Sequence, residues 1–127
     1  MVSVVQAWKV KGIKVPKPHE RVLKVLMAPE VGSTKDFTML ISLISPESET
    51  NYHAHDGSGE VMYVLSGRGE CIIEGKTHGL EPDTAVYVPL GVRHQIKNAS
   101  DECMKIICVF VPPLVSRYVE DIEKINR

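Results

Sequence analysis

The sequence carries no surplus of either charge and no long hydrophobic run. It has 15 lysine and arginine residues against 16 aspartate and glutamate residues, which leaves a formal net charge of −1. Binding of nucleic acid or of an anionic membrane requires a positive surface, so we expect neither partner. The longest apolar stretch ends at Pro112, well short of a membrane-spanning helix. At the amino terminus the apolar residues precede the basic ones, which is the wrong order for a signal peptide.

Cysteine is also scarce. The three residues, Cys71, Cys103 and Cys108, cannot all pair, and none belongs to a Cys-x-x-Cys motif. This usage disfavours a disulfide framework and is typical of a reduced cytoplasmic protein. We therefore expect a cytoplasmic protein whose cysteines are buried structural thiols.

Turn-forming residues divide the chain into short strand-like segments. Turns recur about every eight to twelve residues, which is typical of an all-β sandwich or barrel. With 127 residues the chain has the length of one domain. We predict a barrel over residues 21–112, preceded at 1–20 by a proline-containing arm or edge strand. One hairpin is predicted to close through Gly75 and Lys76 as a type II′ turn, which has glycine first.

The pattern changes after the two prolines at positions 112 and 113. Beyond them, apolar residues recur at helical spacing between charged ones: Leu114, Tyr118, Ile122 and Ile125. This predicts a short amphipathic C-terminal α-helix over residues 113–127, lying against the outside of the barrel.

Three potential metal ligands lie close together in the segment 53–60. His53 and His55 are two positions apart, so in an extended chain their imidazoles point to the same side. Residues 56–59 form a turn that brings Glu60 back beside them at the start of the next strand. Two imidazoles and a carboxylate suit a divalent first-row metal ion. Two partly exposed loop histidines with an unrelated surface glutamate are the alternative interpretation.

A second segment with potential chemistry begins at Pro89. Pro89 and Gly91 form a tight turn that delivers His94 to the start of a strand, where His94, Ile96 and Asn98 share one face. Taken alone, His94 is interpreted as an ordinary edge-strand histidine. Beside the first segment it becomes a fourth candidate ligand.

Together the two segments resemble the cupin superfamily, whose members fold as small jelly-roll barrels, also called double-stranded β-helices. The first cupin motif is matched in its two histidines, its glutamate and its final glycine, at His53, His55, Glu60 and Gly67. The second motif is matched at Pro89, Gly91, His94 and Asn98. The leading glycine of each motif is absent, because Glu47 and Asp83 stand in those places.

The resemblance implies a metal site made of His53, His55, Glu60 and His94. One divalent ion of manganese, iron, nickel, cobalt or zinc would bind there. The resemblance also implies a metal-dependent enzyme that acts on a small oxygenated molecule: a dioxygenase first, then a lyase or decarboxylase, then a sugar isomerase. The alternative is a non-catalytic module that binds or senses a small ligand through the metal. Small cupins often pair, and Trp8 with the apolar residues 2–5 offers a contact, so we expect a homodimer.

Strand alternation predicts which residues line the interior. If Glu60 faces inward, so do Met62 and Val64, and Ile96 follows His94. Two further strands each have a largely apolar face: Phe37, Met39, Ile41 and Leu43 on one, and Met104, Ile106, Cys108 and Phe110 on the other. We therefore expect a mostly apolar interior. The nearest polar candidates for an acid or base are Tyr52, Tyr87, Arg93 and Gln95.

Overall fold

The chain folds into two antiparallel sheets in a computed structural model that describes residues 3–114. The strands are β1 (Ile13–Val15), β2 (Arg21–Met27), β3 (Thr38–Ile44), β4 (Gly59–Ser66), β5 (Gly69–Ile73), β6 (Lys76–Leu80), β7 (Ala85–Val88), β8 (His94–Asn98) and β9 (Met104–Val111). Single turns of 3₁₀ helix lie at Ala7–Lys9 and Pro29–Val31. The larger sheet has the order β1-β2-β3-β9-β4-β7, and the smaller one has the order β6-β5-β8.

The two sheets share one hydrophobic core. Val64 and Ile106 of the larger sheet and Cys71 and Ile96 of the smaller one are all buried in it. The all-β prediction is confirmed. Among residues 3–114 the sheets are not joined by continuous hydrogen bonding into the closed barrel that we predicted. The predicted C-terminal helix lies, apart from positions 113 and 114, outside the described residues.

Two predictions concern features beyond the fold. Trp8 is exposed in the single chain, which is compatible with a dimer contact. The homodimer itself stays a prediction. Among the described residues, no helix has the length and apolar character needed to cross a membrane. The cytoplasmic location likewise stays a prediction.

Alternation along β4, β8 and β9 is confirmed. Glu60, Met62 and Val64 are buried while the residues between them are exposed. His94 and Ile96 are buried on β8, and β9 buries the set Met104, Ile106, Cys108 and Phe110. Each of these strands therefore turns one residue in two toward the core.

The prediction for the strand at 37–44 is wrong by one position. Ser42 pairs with Leu23 on one side and with Ile106 on the other, which places Ser42 on the inner face. Leu40 and Ile44 lie on that face too, whereas Met39 and Leu43 are only half-buried. Both faces of β3 are rich in apolar residues, so alternation alone could not tell the inner face from the outer one.

The hairpin between β5 and β6 also differs from the prediction. Ile73 pairs with Lys76, so the two loop residues are Glu74 and Gly75 rather than Gly75 and Lys76. Their φ angles are 47° and 80°. Two positive φ angles define a type I′ turn, whose twist matches that of the flanking strands. A non-glycine residue therefore takes the first left-handed position, which hid the turn from sequence reasoning.

The two positions that lack the motif glycine keep a left-handed backbone. The φ angle is 58° at Glu47 and 65° at Asp83. Asp83 also accepts a hydrogen bond at 2.8 Å from the hydroxyl of Tyr63. For a residue with a Cβ atom this conformation costs about 1 kcal/mol or more. The left-handed turns are therefore present at both positions without glycine, and the chain bears their conformational cost.

Replacing Glu47 by glycine should stabilise the protein. The side chain is exposed, and the backbone hydrogen bond from Glu47 to the Ser100 carbonyl does not depend on it. Glycine relieves the left-handed backbone strain of the folded state, and this gain exceeds the entropic cost of ordering a glycine on folding. We therefore expect the free energy of unfolding to rise by about 0.5–1 kcal/mol. Urea denaturation measures it. Asp101→Gly, at an exposed position without a positive φ angle, is the control and should not gain stability.

Candidate metal centre

The four predicted ligands come together where the two sheets meet. Glu60 is the second residue of β4 in the larger sheet, and His94 is the first residue of β8 in the smaller one. His53 is joined to His94 by a pair of backbone hydrogen bonds, of 3.0 and 2.8 Å. His55, two residues on, projects to the same side as His53. The turn geometry predicted from the sequence therefore does bring both motifs to one place.

The donor atoms converge on one another. The Nε2 atoms of His53 and His55 are 3.2 Å apart. Oε1 of Glu60 lies 3.0 Å from Nε2 of His94 and 3.4 Å from Nε2 of His55. The ligand atoms of the three histidines all lie within 4.8 Å of one another. These separations are those of groups that can share one ion.

Backbone carbonyls fix the orientation of two of the rings. Nδ1 of His53 lies 2.6 Å from the carbonyl oxygen of Asn51, and Nδ1 of His94 lies 3.0 Å from that of Val92. A carbonyl only accepts, so each Nδ1 carries the proton and each Nε2 is directed to the centre. His55 packs edge-on against Phe110, with ring centroids 5.0 Å apart.

The protonation states also suit metal binding. Burial raises the pKa of Glu60, but the hydrogen bonds with His55 and His94 outweigh it and lower that pKa to about 2. Burial lowers the pKa of His53 to about 4. Burial also lowers the pKa of His94, but its hydrogen bond to Glu60 reverses the effect and leaves that pKa above its usual value. Near pH 7 the centre therefore contains a carboxylate and a neutral His53 imidazole.

The residues present fit a divalent metal ion. Three imidazole nitrogens and one carboxylate oxygen form a donor set that suits manganese, iron, nickel, cobalt or zinc. The unprotonated Nε2 of His53 faces the Nε2 of His55 at a distance that calls for a proton or a cation between them. The residues that would hold the ion are His53, His55, Glu60 and His94.

The centre opens into a cavity of about 170 Å³. Its wall is largely apolar and includes Leu23, Leu40, Met62, Ile96, Ile106 and Phe110. Sequence reasoning missed four polar residues of this wall: Arg21, Ser42, Thr50 and Asn51. The first three of them are buried. For Arg21 and Ser42 the alternating faces of β2 and β3 were the available signal, but those faces could not be assigned from the sequence.

The four polar candidates named from the sequence lie outside the cavity wall. Tyr52 and Arg93 are exposed and stack on each other, with 4.8 Å from the guanidinium carbon to the ring centre. Each directly precedes a histidine of the centre, so strand alternation turns it the other way. Gln95 donates to the carbonyl of Thr50 at 2.7 Å, and Tyr87 is exposed.

The cysteines differ in burial. Cys71 and Cys108 are buried and Cys103 is exposed, so the expectation of buried thiols is wrong for Cys103, which lies in the turn before β9. Burial and a hydrogen bond to Glu60 raise the pKa of the Cys108 thiol well above its usual value. Cys108 therefore stays a thiol beside the carboxylate of the centre.

The family follows from comparison with known proteins. The family model described as a cupin domain matches residues 40–110, and the chain belongs to this family. The polyketide synthase CurC of Streptomyces cyaneus is 31% identical over 99 residues, which cover 77% of this chain and 64% of that protein. An L-ectoine synthase of Vibrio cholerae is 32% identical over 88 residues, which cover 68% of this chain and 62% of that protein. The chain thus spans just under two thirds of the length of these relatives.

A solved structure shows the same fold. The polyketide cyclase RemF of Streptomyces resistomycificus superimposes with a TM-score of 0.74 at 21% identity, covering 95% of this chain and 92% of that one. The relatives of this cupin therefore include enzymes.

Acid should destabilise the metal-free protein through the centre. The pKa values of His53 and Glu60 fall on folding from 6.5 to about 4 and from 4.5 to about 2, so their stabilising contributions are lost as the pH falls through those ranges. The raised pKa of His94 contributes a constant amount below its ordinary value and does not oppose this trend.

The Glu60→Gln variant tests how much the Glu60 carboxylate contributes to the pH dependence of stability. Its stability, measured by urea denaturation, should depend less on pH than that of the wild type between about pH 4.5 and 2. The exposed Glu102 provides the matched control, Glu102→Gln, which should keep the wild-type slope. An unchanged slope in Glu60→Gln would contradict the pKa shift.

Proposed function

We propose that this cupin is a metal-dependent enzyme that acts on a small, largely apolar, oxygenated molecule by elimination or ring closure. The observation that carries the proposal is the set of four donors converging at the wall of a cavity, with Nε2 of His94 3.0 Å from Oε1 of Glu60. A structural role alone does not require four ligand-competent side chains around one point.

The chain's own residues would divide the work as follows. His53, His55, Glu60 and His94 would hold the ion, which when bound supplies a Lewis acid that polarises a carbonyl or enol oxygen. The apolar wall excludes water and aligns the substrate's carbon skeleton. The thiol of Cys108 and the ring of Phe110 confine Glu60 and His55 and so keep the donors in place.

The cavity limits the size of the substrate. Apolar cavities of about 150 Å³ bind one benzene ring. A cavity of about 170 Å³ therefore suits a molecule of one ring, or the reactive end of a longer one. A fused multi-ring compound would not fit inside it.

The names of the relatives favour the non-oxidative reactions. Relatives named polyketide synthase and L-ectoine synthase, and a fold neighbour named polyketide cyclase, support lyase or cyclase chemistry. The dioxygenase, which the resemblance placed first, is one outcome of the test below. So is the non-catalytic binding module.

Removal of a ligand should abolish metal binding without unfolding the chain. We expect purified wild-type protein to carry close to one divalent ion per chain, and His94→Ala and Glu60→Ala to carry little, as measured by elemental analysis with circular dichroism for folding. His78, exposed on β6, provides the matched control, His78→Ala, which should keep the metal. Full occupancy in a folded His94→Ala protein would show that the ligand assignment is wrong.

Product masses identify the reaction class. Metal-loaded protein is incubated with short β-keto and β-hydroxy acids and single-ring diketones, and products are analysed by mass spectrometry. We expect loss of water or an unchanged mass with a new ring, and no product after chelation. Addition of two oxygen atoms indicates a dioxygenase, loss of carbon dioxide a decarboxylase, and saturable binding without turnover the non-catalytic module. Turnover that survives chelation would refute metal dependence.

A further inference from the structure

One buried hydroxyl in the cavity wall has no hydrogen-bond partner. Ser42, on the inner face of β3, is only 6% exposed and lines the cavity. Among residues 3–114 its side chain takes part in no hydrogen bond. Burying a hydroxyl without a partner costs free energy, and such groups are uncommon in folded proteins. The hydroxyl of Ser42 therefore points to a molecule that completes it.

The hydroxyl of Ser42 can be reached from the cavity. Among the described residues, two side-chain atoms are both fully enclosed and without a partner, Oε2 of Glu30 and Oγ of Ser48. Oγ of Ser42 also lacks a partner but is not one of these enclosed atoms, so it is open to the cavity that Ser42 lines. A molecule inside the cavity can therefore supply the missing hydrogen bond.

The other polar side chains of the wall are engaged or exposed. Oγ1 of Thr50 donates to the carbonyl of Asn51 at 3.3 Å and accepts a backbone N–H at 3.0 Å. Nη1 of Arg21 donates to the carbonyl of His19 at 3.0 Å, and Arg21 has a further interaction. Asn51 is exposed. The remaining polar groups of the wall belong to the metal centre, which leaves the serine as the buried hydroxyl available to a ligand.

The immediate neighbours of Ser42 on the inner face are apolar. Ser42 pairs with Leu23 on β2 and with Ile106 on β9. Leu40 and Ile44 lie two positions before and after it on β3, on the same face. A buried water is well held when it has about two to four polar partners. These four neighbours offer a water none, so an oxygen atom of a ligand displaces it at little cost.

We propose that Ser42 is the specificity-determining hydrogen-bond partner of the molecule that binds in this cavity, and that this molecule carries a hydroxyl or ketone oxygen where it meets Ser42. A serine hydroxyl offers one donor and also accepts, so it matches one oxygen atom of an alcohol, a phenol or a ketone. The role of the cavity as the substrate site rests on the proposed function, whereas the hydrogen bond to Ser42 does not involve the metal.

Ser42 recognises a part of the molecule that lies away from the reacting end. Glu60 pairs with Phe110, and Phe110 pairs with Thr38, so these three residues share one row across the larger sheet. Ser42 is four residues further along β3, which is roughly 13 Å of strand. An analogue with a methyl group in place of the oxygen leaves the serine hydroxyl unpaired, and a site with such a group discriminates against that analogue.

Phenol and toluene test the role of Ser42. They are nearly the same shape, and phenol is uncharged near pH 7. Binding is measured by NMR titration of the full chain after chelation, so that no metal contributes. Phenol is the harder of the two to remove from water, so the change in each affinity on substitution is compared. We expect Ser42→Ala to weaken phenol binding about three- to ten-fold and not to weaken toluene binding, because one hydrogen bond is lost.

Two further variants separate hydrogen bonding from packing. Ser42→Thr keeps the hydroxyl and should bind phenol more tightly than Ser42→Ala does. Thr50→Val is the matched control, because it removes a wall hydroxyl that is already engaged within the protein. It should lower stability in urea and keep the wild-type ratio of the two affinities. Circular dichroism establishes that each variant is folded.

Several results would overturn the role of Ser42. They are an unchanged phenol affinity in folded Ser42→Ala, an equal weakening of phenol and toluene in that variant, and the absence of saturable binding of either probe to the wild type. The proposed function fails in a different way. A wild-type protein that selects phenol through Ser42 but retains no metal would overturn the proposed function alone.

Discussion

The buried contact between Glu60 and His94 is the interaction on which the rest of the site depends. It joins the larger sheet to the smaller one, and both residues are buried, with Glu60 5% and His94 2% exposed. Burying a carboxylate costs several kcal/mol unless neighbouring groups compensate the charge. Here the imidazoles of His55 and His94 do so, which is why the pKa of Glu60 falls to about 2 despite its burial. The same compensation can come from a metal ion, so proton and metal compete for one set of atoms.

The parts of the site that follow from local geometry could be predicted from the sequence. The spacing of His53 and His55, the turn before Glu60 and the Pro-x-Gly turn before His94 each act over a few residues. That the two motifs meet was implied by the cupin resemblance, and in the structure the backbone bridge between His53 and His94 joins them. Asn98 completes the second motif for a structural reason: its side-chain amide donates to the carbonyls of Ile44, Ser45 and Glu102. These contacts fix the end of β8 and hence the strand that carries His94.

The parts that depend on pairing between distant strands could not be predicted. Which face of β3 points inward is decided by its register with β2 and β9, and both faces are apolar enough to be buried. The same limit hid Arg21, since a charged residue at the start of a strand is normally exposed. The polar candidates were chosen because they lie close to the motifs in sequence: Tyr52, Tyr87, Arg93 and Gln95. Adjacent residues of a strand point in opposite directions, so a residue next to an inward-facing ligand faces away from the cavity.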